Sequence, residues 1–175
     1  MLKGDGVKRG LMAGIRKSLR PLACEWRRQY LNHVWGMDIG EDCMISFSAK
    51  LDKTYPPGIH IGRSTAVSFG AVILSHDYTR GMHVDTWIGE YCQIGAHSFI
   101  MPGITIGRNC VIAPSSVVIK DVPPNSLVAG NPARTIERDI QTGRWGKLIP
   151  VPAAAAASRH PPAMASKEAQ LPLSA

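Results

Sequence analysis

The side chains best suited to acid–base chemistry are concentrated in one stretch of this chain, residues 75–87. The stretch holds two histidines, two aspartates and two aromatic residues. An imidazole titrates near neutral pH, so it can take a proton from a hydroxyl group while a carboxylate holds its other ring nitrogen. The aromatic rings can stack on a bound ligand or pack over the base of the loop. The residues are His76, Asp77, Tyr78, His83, Asp85 and Trp87.

This stretch interrupts a ladder of branched aliphatic residues, most of them six positions apart. A period of six matches neither a single helix nor a β-meander, and it is typical of a parallel β-helix, in which three short strands form each coil. The step from Ile73 to Ile88 is fifteen residues, and a loop that interrupts a rigid scaffold is where function is expected. The ladder residues are Ile39, Ile45, Leu51, Ile61, Val67, Ile73, Ile88, Ile94, Ile100, Ile106, Ile112 and Val118.

Three six-residue blocks make one coil of 18 residues, so the ladder predicts four stacked coils. The fifth position of each regular block is small, and this second column predicts compact core fillers. Cys43, Cys92 and Cys110 fall in that column, and the chain has no Cys-x-x-Cys pair. We therefore interpret these cysteines as core residues rather than as metal ligands or disulfide partners.

The sequence divides into three segments: a basic helical segment over residues 1–37, the repeat domain over 38–140, and a tail over 141–175 whose composition indicates disorder. We expect the first segment to form an amphipathic helix that Pro21 breaks or restarts, and that caps the open end of the coil. The predicted fold class is all-β, a parallel β-helix with a short N-terminal helical cap and a C-terminal tail.

The charge and hydropathy of the chain bear on its partners and location. The formal net charge is +7, and much of the positive charge precedes the ladder, which suits acidic partners such as phosphate groups. Neither a membrane-spanning run nor a secretory signal is visible, so we expect a cytoplasmic protein. Besides capping the coil, the basic N-terminus is suited to a peripheral contact with the inner face of the membrane. We expect no nucleic-acid partner.

Two segments after the loop carry a resemblance to a known family. They are Ile100–Gly107, and Val117–Pro124 continuing through Val128–Arg134. They resemble the penultimate turn and the closing signature of the hexapeptide-repeat (left-handed β-helix) acyltransferases, and are similar to the branch of sugar and polysaccharide O-acetyltransferases. The resemblance implies a left-handed coil, a homotrimer and acetyl-CoA as co-substrate, with no metal. It also implies a saccharide or lipid-linked glycan acceptor, in cell-envelope or exopolysaccharide biosynthesis.

The resemblance further implies roles for residues in and near the loop. His76 occupies the position of the family's general base, and His83 is its main rival. Asp77 and Asp85 are the candidates to hold the second ring nitrogen of the base, and a backbone carbonyl would serve as well. The family often has an asparagine near the acceptor where this chain has Ser68, which has a shorter reach. The predicted acceptor-binding residues are Ser68, Tyr78, His83, Trp87 and His97.

For the donor, the family lays CoA in a groove between neighbouring subunits, beside the later coils. The resemblance places the pantetheine arm along Gly95 and Ala113, and makes Lys120 and Arg134 the candidates for the phosphate groups. Ordinary surface charge is the alternative interpretation of these two cations. Acyl-carrier-protein donors and longer acyl chains stay open, although the short prism favours acetyl.

Two other functions fit the same scaffold. A gamma-class carbonic anhydrase-like metal enzyme needs three histidines that converge on zinc, for which His76, His83 and His97 are the available trio. A non-catalytic β-helix would only scaffold a complex, and the intact loop with His76 argues against it. We therefore predict an acetyl-CoA-dependent O-acetyltransferase with a histidine general base.

Overall fold

The computed structural model describes residues 5–150, with side chains described for Leu19 and from residue 21 onward. One helix precedes sixteen short strands, and two 3₁₀ turns occur at Pro56–Gly58 and Arg144–Gly146. The elements in chain order are α1 Asp5–Trp35, β1 Asp38–Ile39, β2 Met44–Ile45, β3 Lys50–Leu51, β4 Ile59–Ile61, β5 Ala66–Val67, β6 Val72–Ile73, β7 His76–Asp77, β8 Met82–His83, β9 Thr86–Ile88, β10 Gln93–Ile94, β11 Phe99–Ile100, β12 Thr105–Ile106, β13 Val111–Ile112, β14 Val117–Val118, β15 Ser126–Gly130 and β16 Ala133–Arg138.

The strands form the three faces of a prism. The first face stacks β1, β4, β9 and β12, and the third stacks β3, β6, β11 and β14. The second face stacks β2, β5, β10 and β13, and continues into β15 and β16. All stacked pairs are parallel except β15 with β16. Parallel sheets stacked in repeats are consistent with a left-handed β-helix, so the predicted fold class is confirmed.

The ladder side chains fill the interior of this prism. Their register follows the predicted coils, since Ile39 pairs with Ile61, Ile61 with Ile88, and Ile88 with Ile106. All twelve ladder side chains are at most 7% exposed. Burial of a side chain of this size contributes roughly 1.5–3 kcal/mol to folding. The ladder is therefore the core that holds the surface residues in place.

The three predicted core cysteines are buried beside the ladder as free thiols. The Sγ atoms of Cys92 and Cys110 donate to backbone carbonyls of the next coil, at 3.2 Å in each case. The backbone N–H of Cys110 lies 3.4 Å from Sγ of Cys92, so the two residues are stacked on adjacent coils. Their interpretation as core fillers is confirmed.

The corner between the first and second faces is built from residues with a left-handed backbone. Each of these residues has φ between 51° and 59° and stands directly before the small-residue column. Asp and Asn tolerate this conformation because their side chains form local hydrogen bonds, which explains the three of them at this corner. The corner residues are Asp42, Ser64, Tyr91, Asn109 and Asn125.

Residues 139–146 form a strap that runs back along this corner from the last coil to the first. The prediction of a disordered tail from residue 141 therefore needs correction at its start, because residues 142–145 form hydrogen bonds with the coils, while residues 147–150 are exposed. Backbone and side-chain hydrogen bonds attach the strap to the coils. Its sequence lacks the regular spacing of apolar residues that predicted the coils. The bonds are Ile140 N to Asn125 O at 3.0 Å, Thr142 Oγ1 to Tyr91 O at 2.6 Å, Trp145 N to Ser64 O at 2.7 Å and Trp145 Nε1 to Asp42 O at 2.8 Å. The remainder of the predicted tail, 151–175, lies outside the described residues.

Helix α1 covers the open end of the first coil, as expected of a cap. Asn32 bonds both the N–H and the carbonyl of Ile39, at 3.0 and 2.9 Å, and Arg28 donates to the same carbonyl at 3.2 Å. Leu31 is buried beneath the helix. These contacts satisfy backbone groups that have no further coil to pair with. The helix therefore ends the prism on this side.

Two features of the helix differ from expectation. The helix continues through Pro21, which the sequence indicated as a break. Leu22, Trp26 and Tyr30, which share the helical spacing of the predicted apolar face, are exposed in the single chain. Among the described residues, no helix is both long and apolar enough to cross a membrane.

Candidate active site

The residues of the interrupting loop form a hairpin at the corner between the third and first faces. Strand β7 begins three residues after Ile73 and pairs antiparallel with β8, so that His76 lies opposite His83. The hairpin is anchored at its base because the N–H of Val84 donates to the carbonyl of Ser75 at 2.9 Å. The large insertion thus presents His76 at the edge of a rigid scaffold.

The carboxylate of Asp52 holds the imidazole of His76. Nδ1 of His76 forms a hydrogen bond with Oδ2 of Asp52, which belongs to the first coil. The Asp52 side chain is 2% exposed, whereas the His76 side chain is 25% exposed. The buried carboxylate therefore fixes one ring nitrogen, while the ring keeps access to solvent and to a ligand.

Backbone donors surround the carboxylate of Asp52. Its Oδ2 accepts the N–H groups of Ser75 and His76 at 2.9 and 3.0 Å, and its Oδ1 accepts the N–H of Thr54 at 2.8 Å. Burial alone would raise the pKa of Asp52, but the hydrogen bonds from Ser75, His76 and Thr54 outweigh it and lower the pKa to about 2. The carboxylate is ionised at neutral pH, so Nδ1 of His76 carries the proton and Nε2 is left as the basic atom.

The two aspartates predicted to hold the histidine lie elsewhere. Asp77 accepts the N–H of Arg80 at 3.1 Å and pairs with its guanidinium at 3.2 Å. Asp85 lies 3.9 Å from Nε2 of His60. Asp52 takes the expected position instead, and sequence reasoning missed it because it precedes His76 by 24 residues. The available signal was the coil register, which pairs Leu51 with Ile73 and brings the residues after them together.

Some of the predicted acceptor-binding residues share the hairpin corner with His76. The rings of His83 and Tyr55 are stacked with centroids 5.1 Å apart, beside the hairpin. Tyr78 at the hairpin tip is 93% exposed. Trp87 stacks on His60 at 3.7 Å on the first face, and about half of its surface is exposed. The Tyr55 ring also lies at this corner, and it was not predicted from the sequence as a site residue.

Ser68 and His97 lie at another corner, between the second and third faces. Ser68 Oγ accepts a hydrogen bond from Gln93 at 2.8 Å. The His97 ring packs edge-on against Phe69, with centroids 5.1 Å apart. Within one protomer these residues are therefore separated from His76. Among the described residues, no group of three or more His, Cys, Asp or Glu side chains is placed to hold a metal ion.

The predicted donor-binding residues line the later coils. Gly95 and Ala113 stack one coil apart, and a Cβ on Gly95 would lie 2.5 Å from the carbonyl oxygen of Ile112. Lys120 and Arg134 are exposed, and Nη1 of Arg134 donates to the carbonyl of Ala133 at 3.0 Å. Gly95 and Ala113 lie at the corner of Ser68 and not at that of His76. A single protomer therefore does not bring Gly95 and Ala113 to the imidazole, whereas Lys120 follows β14 of the third face, on a later coil at the corner of His76.

Residues 85–120 match the family described as "Bacterial transferase hexapeptide (six repeats)". The chain is 32% identical over 102 residues to "Putative acetyltransferase YvoF" of Bacillus subtilis (strain 168), across 57% of this chain and 59% of that protein. It is 35% identical over 111 residues to "Serine acetyltransferase 2" of Arabidopsis thaliana, across 61% of this chain and 34% of that protein. The chain therefore spans less than two thirds of either relative.

A solved structure of a galactoside acetyltransferase in complex with coenzyme A has the same fold. It superimposes with a TM-score of 0.50 at 24% identity, over 79% of this chain and 84% of that one. The relatives act on different acceptors by name, so they do not select a branch. The repeat, its stacked parallel faces and these similarities show that the chain has the hexapeptide-repeat fold, and that its sequence is similar to those of acetyltransferases.

Proposed function

We propose that this protein transfers an acetyl group from acetyl-CoA to a hydroxyl group of a saccharide, with His76 as the general base. The observation that carries the proposal is the hydrogen bond between His76 and the buried, ionised Asp52. A carboxylate that fixes Nδ1–H leaves Nε2 ready to accept a proton. The His76 side chain is 25% exposed, which supports approach of an acceptor hydroxyl to the ring.

The reaction proceeds by direct transfer between two bound substrates. Nε2 of His76 takes the proton of the acceptor hydroxyl. At the same time, the hydroxyl oxygen attacks the carbonyl carbon of the thioester. The tetrahedral intermediate then expels the CoA thiolate, which receives the proton from His76. Asp52 stabilises the imidazolium that exists between these two proton transfers. No side-chain nucleophile is required, since the acceptor oxygen itself forms the new bond.

The donor is proposed to lie along the second-to-third corner of a neighbouring protomer in a homotrimer. The close approach of backbone at Gly95 leaves a smooth surface on which a pantetheine arm fits. Lys120 and Arg134 would then supply charge for the phosphate groups of CoA. A galactoside acetyltransferase of the same fold was solved with coenzyme A, which supports this donor. Sedimentation analysis tests the trimer, and a monomeric species that retains full activity contradicts it.

The acceptor is proposed to be a saccharide of cell-envelope or exopolysaccharide synthesis, free or lipid-linked. The stacked pair of Tyr55 and His83 and the exposed Tyr78 offer aromatic faces to a sugar ring beside His76. A serine acetyltransferase is also among the relatives, so L-serine is the competing acceptor. The two acceptors differ in what the aromatic faces can contribute, since L-serine has no ring to stack on them.

A thiol-release assay with acetyl-CoA tests the activity and the acceptor together. Purified protein is offered a panel of monosaccharides, oligosaccharides and lipid-linked glycans, with L-serine and water as comparisons. We expect thiol release with a saccharide and confirmation of an O-acetyl ester by mass spectrometry. Release with L-serine alone would contradict the saccharide acceptor, and no release with any acceptor would contradict the acetyltransferase.

The exposed apolar row on helix α1 leaves the proposed membrane contact to be tested as well. Leu22, Trp26 and Tyr30 lie beside a strongly basic segment, a combination that favours anionic lipid surfaces. Pelleting with anionic liposomes, compared between the full chain and a chain without residues 1–30, is the measurement. Equal pelleting of the two chains would contradict the membrane contact.

A further inference from the structure

A cavity of about 420 Å³ lies between the second half of helix α1 and the first coil. The helix forms one wall, and the strand β3 and the corner before it form the other. Its lining combines three cationic side chains with three aromatic rings. They are Arg27, Tyr30, Trp35, Phe47, Lys50 and Lys53.

The cationic side chains of this cavity form no described ion pairs with carboxylates. None of Arg27, Lys50 and Lys53 forms an ion pair within the described residues, and no acidic residue lines the cavity. In contrast, Arg28 on the same helix pairs with Glu25. Three like charges gathered around one cavity repel one another unless an anion lies between them. The lining is thus suited to a negatively charged ligand.

Arg27 has donors left over for such a ligand. Its Nη2 donates to the carbonyl of Ala49 at 3.2 Å, while its Nε is buried without a hydrogen-bond partner. The guanidinium lies 5.0 Å from the centre of the Phe47 ring, and Lys53 Nζ lies 4.7 Å from the centre of the Trp35 ring. These ring contacts hold both cations at the cavity wall. A guanidinium fork with a nearby ammonium is the arrangement that binds phosphate oxygens.

The cavity lies next to the pair of Asp52 and His76. Lys53 follows Asp52 directly, so their Cα atoms are about 3.8 Å apart. The first-coil strand β3 that carries Lys50 pairs with β6, which leads into the hairpin. A phosphate group bound beside Lys53 would therefore lie on the same coil as the carboxylate that holds the proposed base. Gly95 and Ala113 of the proposed donor groove lie on later coils, along the same corner as Phe47, and saturation with CoA therefore has to fill that groove in any test of the cavity.

We propose that this cavity binds a phosphate or diphosphate group, and that the acceptor is a sugar carried on that group. The assignment of the ligand as acceptor rests on the proposed function, whereas the phosphate site itself does not. Two sources share this chemistry, a nucleoside diphosphate sugar and a polyprenyl diphosphate sugar. The aromatic rings of Tyr30, Trp35 and Phe47 provide the apolar surface against which a base or a prenyl chain would pack.

Calorimetric titration with inorganic pyrophosphate tests the site. The titration is carried out on the full chain with CoA present at saturation, so that phosphate sites of the donor are already filled. The test variant is Lys50→Gln with Lys53→Gln. The matched control is Arg138→Gln with Lys147→Gln, which removes the same charge from exposed positions outside the cavity.

We expect pyrophosphate to bind the wild-type protein, and the test variant to bind it at least about tenfold more weakly. The control should stay within about twofold of wild type, since removal of distant surface charge is largely screened by salt. Absence of binding to the wild-type protein, or an equal loss in test and control variants, overturns the proposal.

Two further titrations distinguish the sources of the phosphate. If uridine diphosphate binds more tightly than pyrophosphate, with the same dependence on Lys50 and Lys53, the ligand of the cavity is a nucleotide-linked sugar. Sedimentation with phosphatidylcholine vesicles that contain polyprenyl phosphate, but not with phosphatidylcholine alone, assigns a lipid-linked sugar. If the protein releases thiol from acetyl-CoA but transfers no acetyl group to any sugar, the proposed function is contradicted. The phosphate site is still tested by the titrations, because they measure binding and not transfer.

Discussion

The buried carboxylate of Asp52 holds His76 from a position 24 residues earlier in the chain. The two residues meet because Leu51 and Ile73 are paired across adjacent coils, so the chain leaves the third face at neighbouring points. Three backbone N–H groups, those of Thr54, Ser75 and His76, fix the carboxylate independently of the imidazole ring. The base of the proposed reaction is thus oriented by the rigid prism and not by its own loop.

Replacement of His76 by alanine should lower the rate of acetyl transfer at least about a hundredfold, which is the usual share of a general base. CoA affinity should change by less than about twofold, because Gly95 and Ala113 of the proposed donor groove lie at another corner. The measurements are steady-state thiol release and CoA titration. His33→Ala, on the exposed side of helix α1, is the control and should keep its activity. Near-normal turnover in His76→Ala would remove this residue from the mechanism.

Replacement of Asp52 by asparagine should lower kcat at least about tenfold and leave the acceptor KM little changed. The amide keeps the size of the side chain, but it loses the charge that fixes Nδ1–H and stabilises the imidazolium. Asp52→Glu should recover part of the loss, since it restores the carboxylate with altered reach. Equal activity of Asp52→Asn and wild type would show that His76 needs no orienting carboxylate.

Asp52 should also make stability depend on pH in the acid range. Its pKa falls from the ordinary 3.8 to about 2 in the folded protein, because the hydrogen bonds that it accepts outweigh burial. A carboxyl group with a lowered pKa in the folded state stabilises the fold above its unfolded pKa. That contribution, about 2 kcal/mol, is lost as the pH falls from about 4 to about 2.

Denaturant unfolding of wild type and Asp52→Asn at several pH values measures this contribution. The difference in unfolding free energy between the two proteins should be constant above about pH 5 and shrink towards pH 2. The asparagine variant is its own control, since all other carboxyl groups are shared. A difference that does not change with pH would contradict the lowered pKa of Asp52.

The sequence was sufficient to predict the prism, because each coil repeats the same local rule. Ile39, Ile61 and Ile88 are alike in type and spacing, and burial of such residues decides the register. The position of His76 followed from the interruption of that rule. Asp52 was missed because the prediction took its carboxylates from the loop of His76, whereas this contact depends on the pairing of Leu51 with Ile73 across adjacent coils.

Contacts without periodicity account for the other differences. Trp145 joins the strap to Asp42 and Ser64 through single hydrogen bonds with backbone groups, which carry no sequence pattern. Pro21 remains inside the helix, although an interior proline usually disfavours one. The break was predicted from the low helix propensity of proline alone. The helix is also stabilised by the hydrogen bonds of Arg28 and Asn32 with the first coil.

The core cysteines should be unreactive in the folded protein. Burial raises the pKa of Cys43 to about 11, and Cys92 and Cys110 are fully buried. Cys24 on helix α1 is half-buried, so we expect it to be alkylated first. Mass spectrometry after brief iodoacetamide treatment should find one modified thiol in the native protein and four after denaturation. Cys24→Ser should abolish the fast reaction, and rapid labelling of Cys92 in that variant would contradict the buried column.

Two glycines of the strap provide a matched test of its packing. Gly146 has φ of +67°, and a Cβ there would lie 2.4 Å from the backbone nitrogen of Gln93. Gly143 lies three residues earlier with φ of −105°, and its nearest contact for a Cβ is Ile149 at 3.8 Å. Gly146→Ala should therefore destabilise the protein by about 1–3 kcal/mol, through both backbone strain and the displaced strap.

Gly143→Ala should be neutral or slightly stabilising, because alanine reduces the freedom of the unfolded chain at a conformation it can adopt. Denaturant unfolding of both variants measures the difference. The destabilisation should come with faster proteolysis after residue 138, since the strap would be released before the coils unfold. Equal stability of the two variants would mean that the strap is not packed against the coil at Gln93, and that the corner residues from Asp42 to Asn125 hold the prism without it.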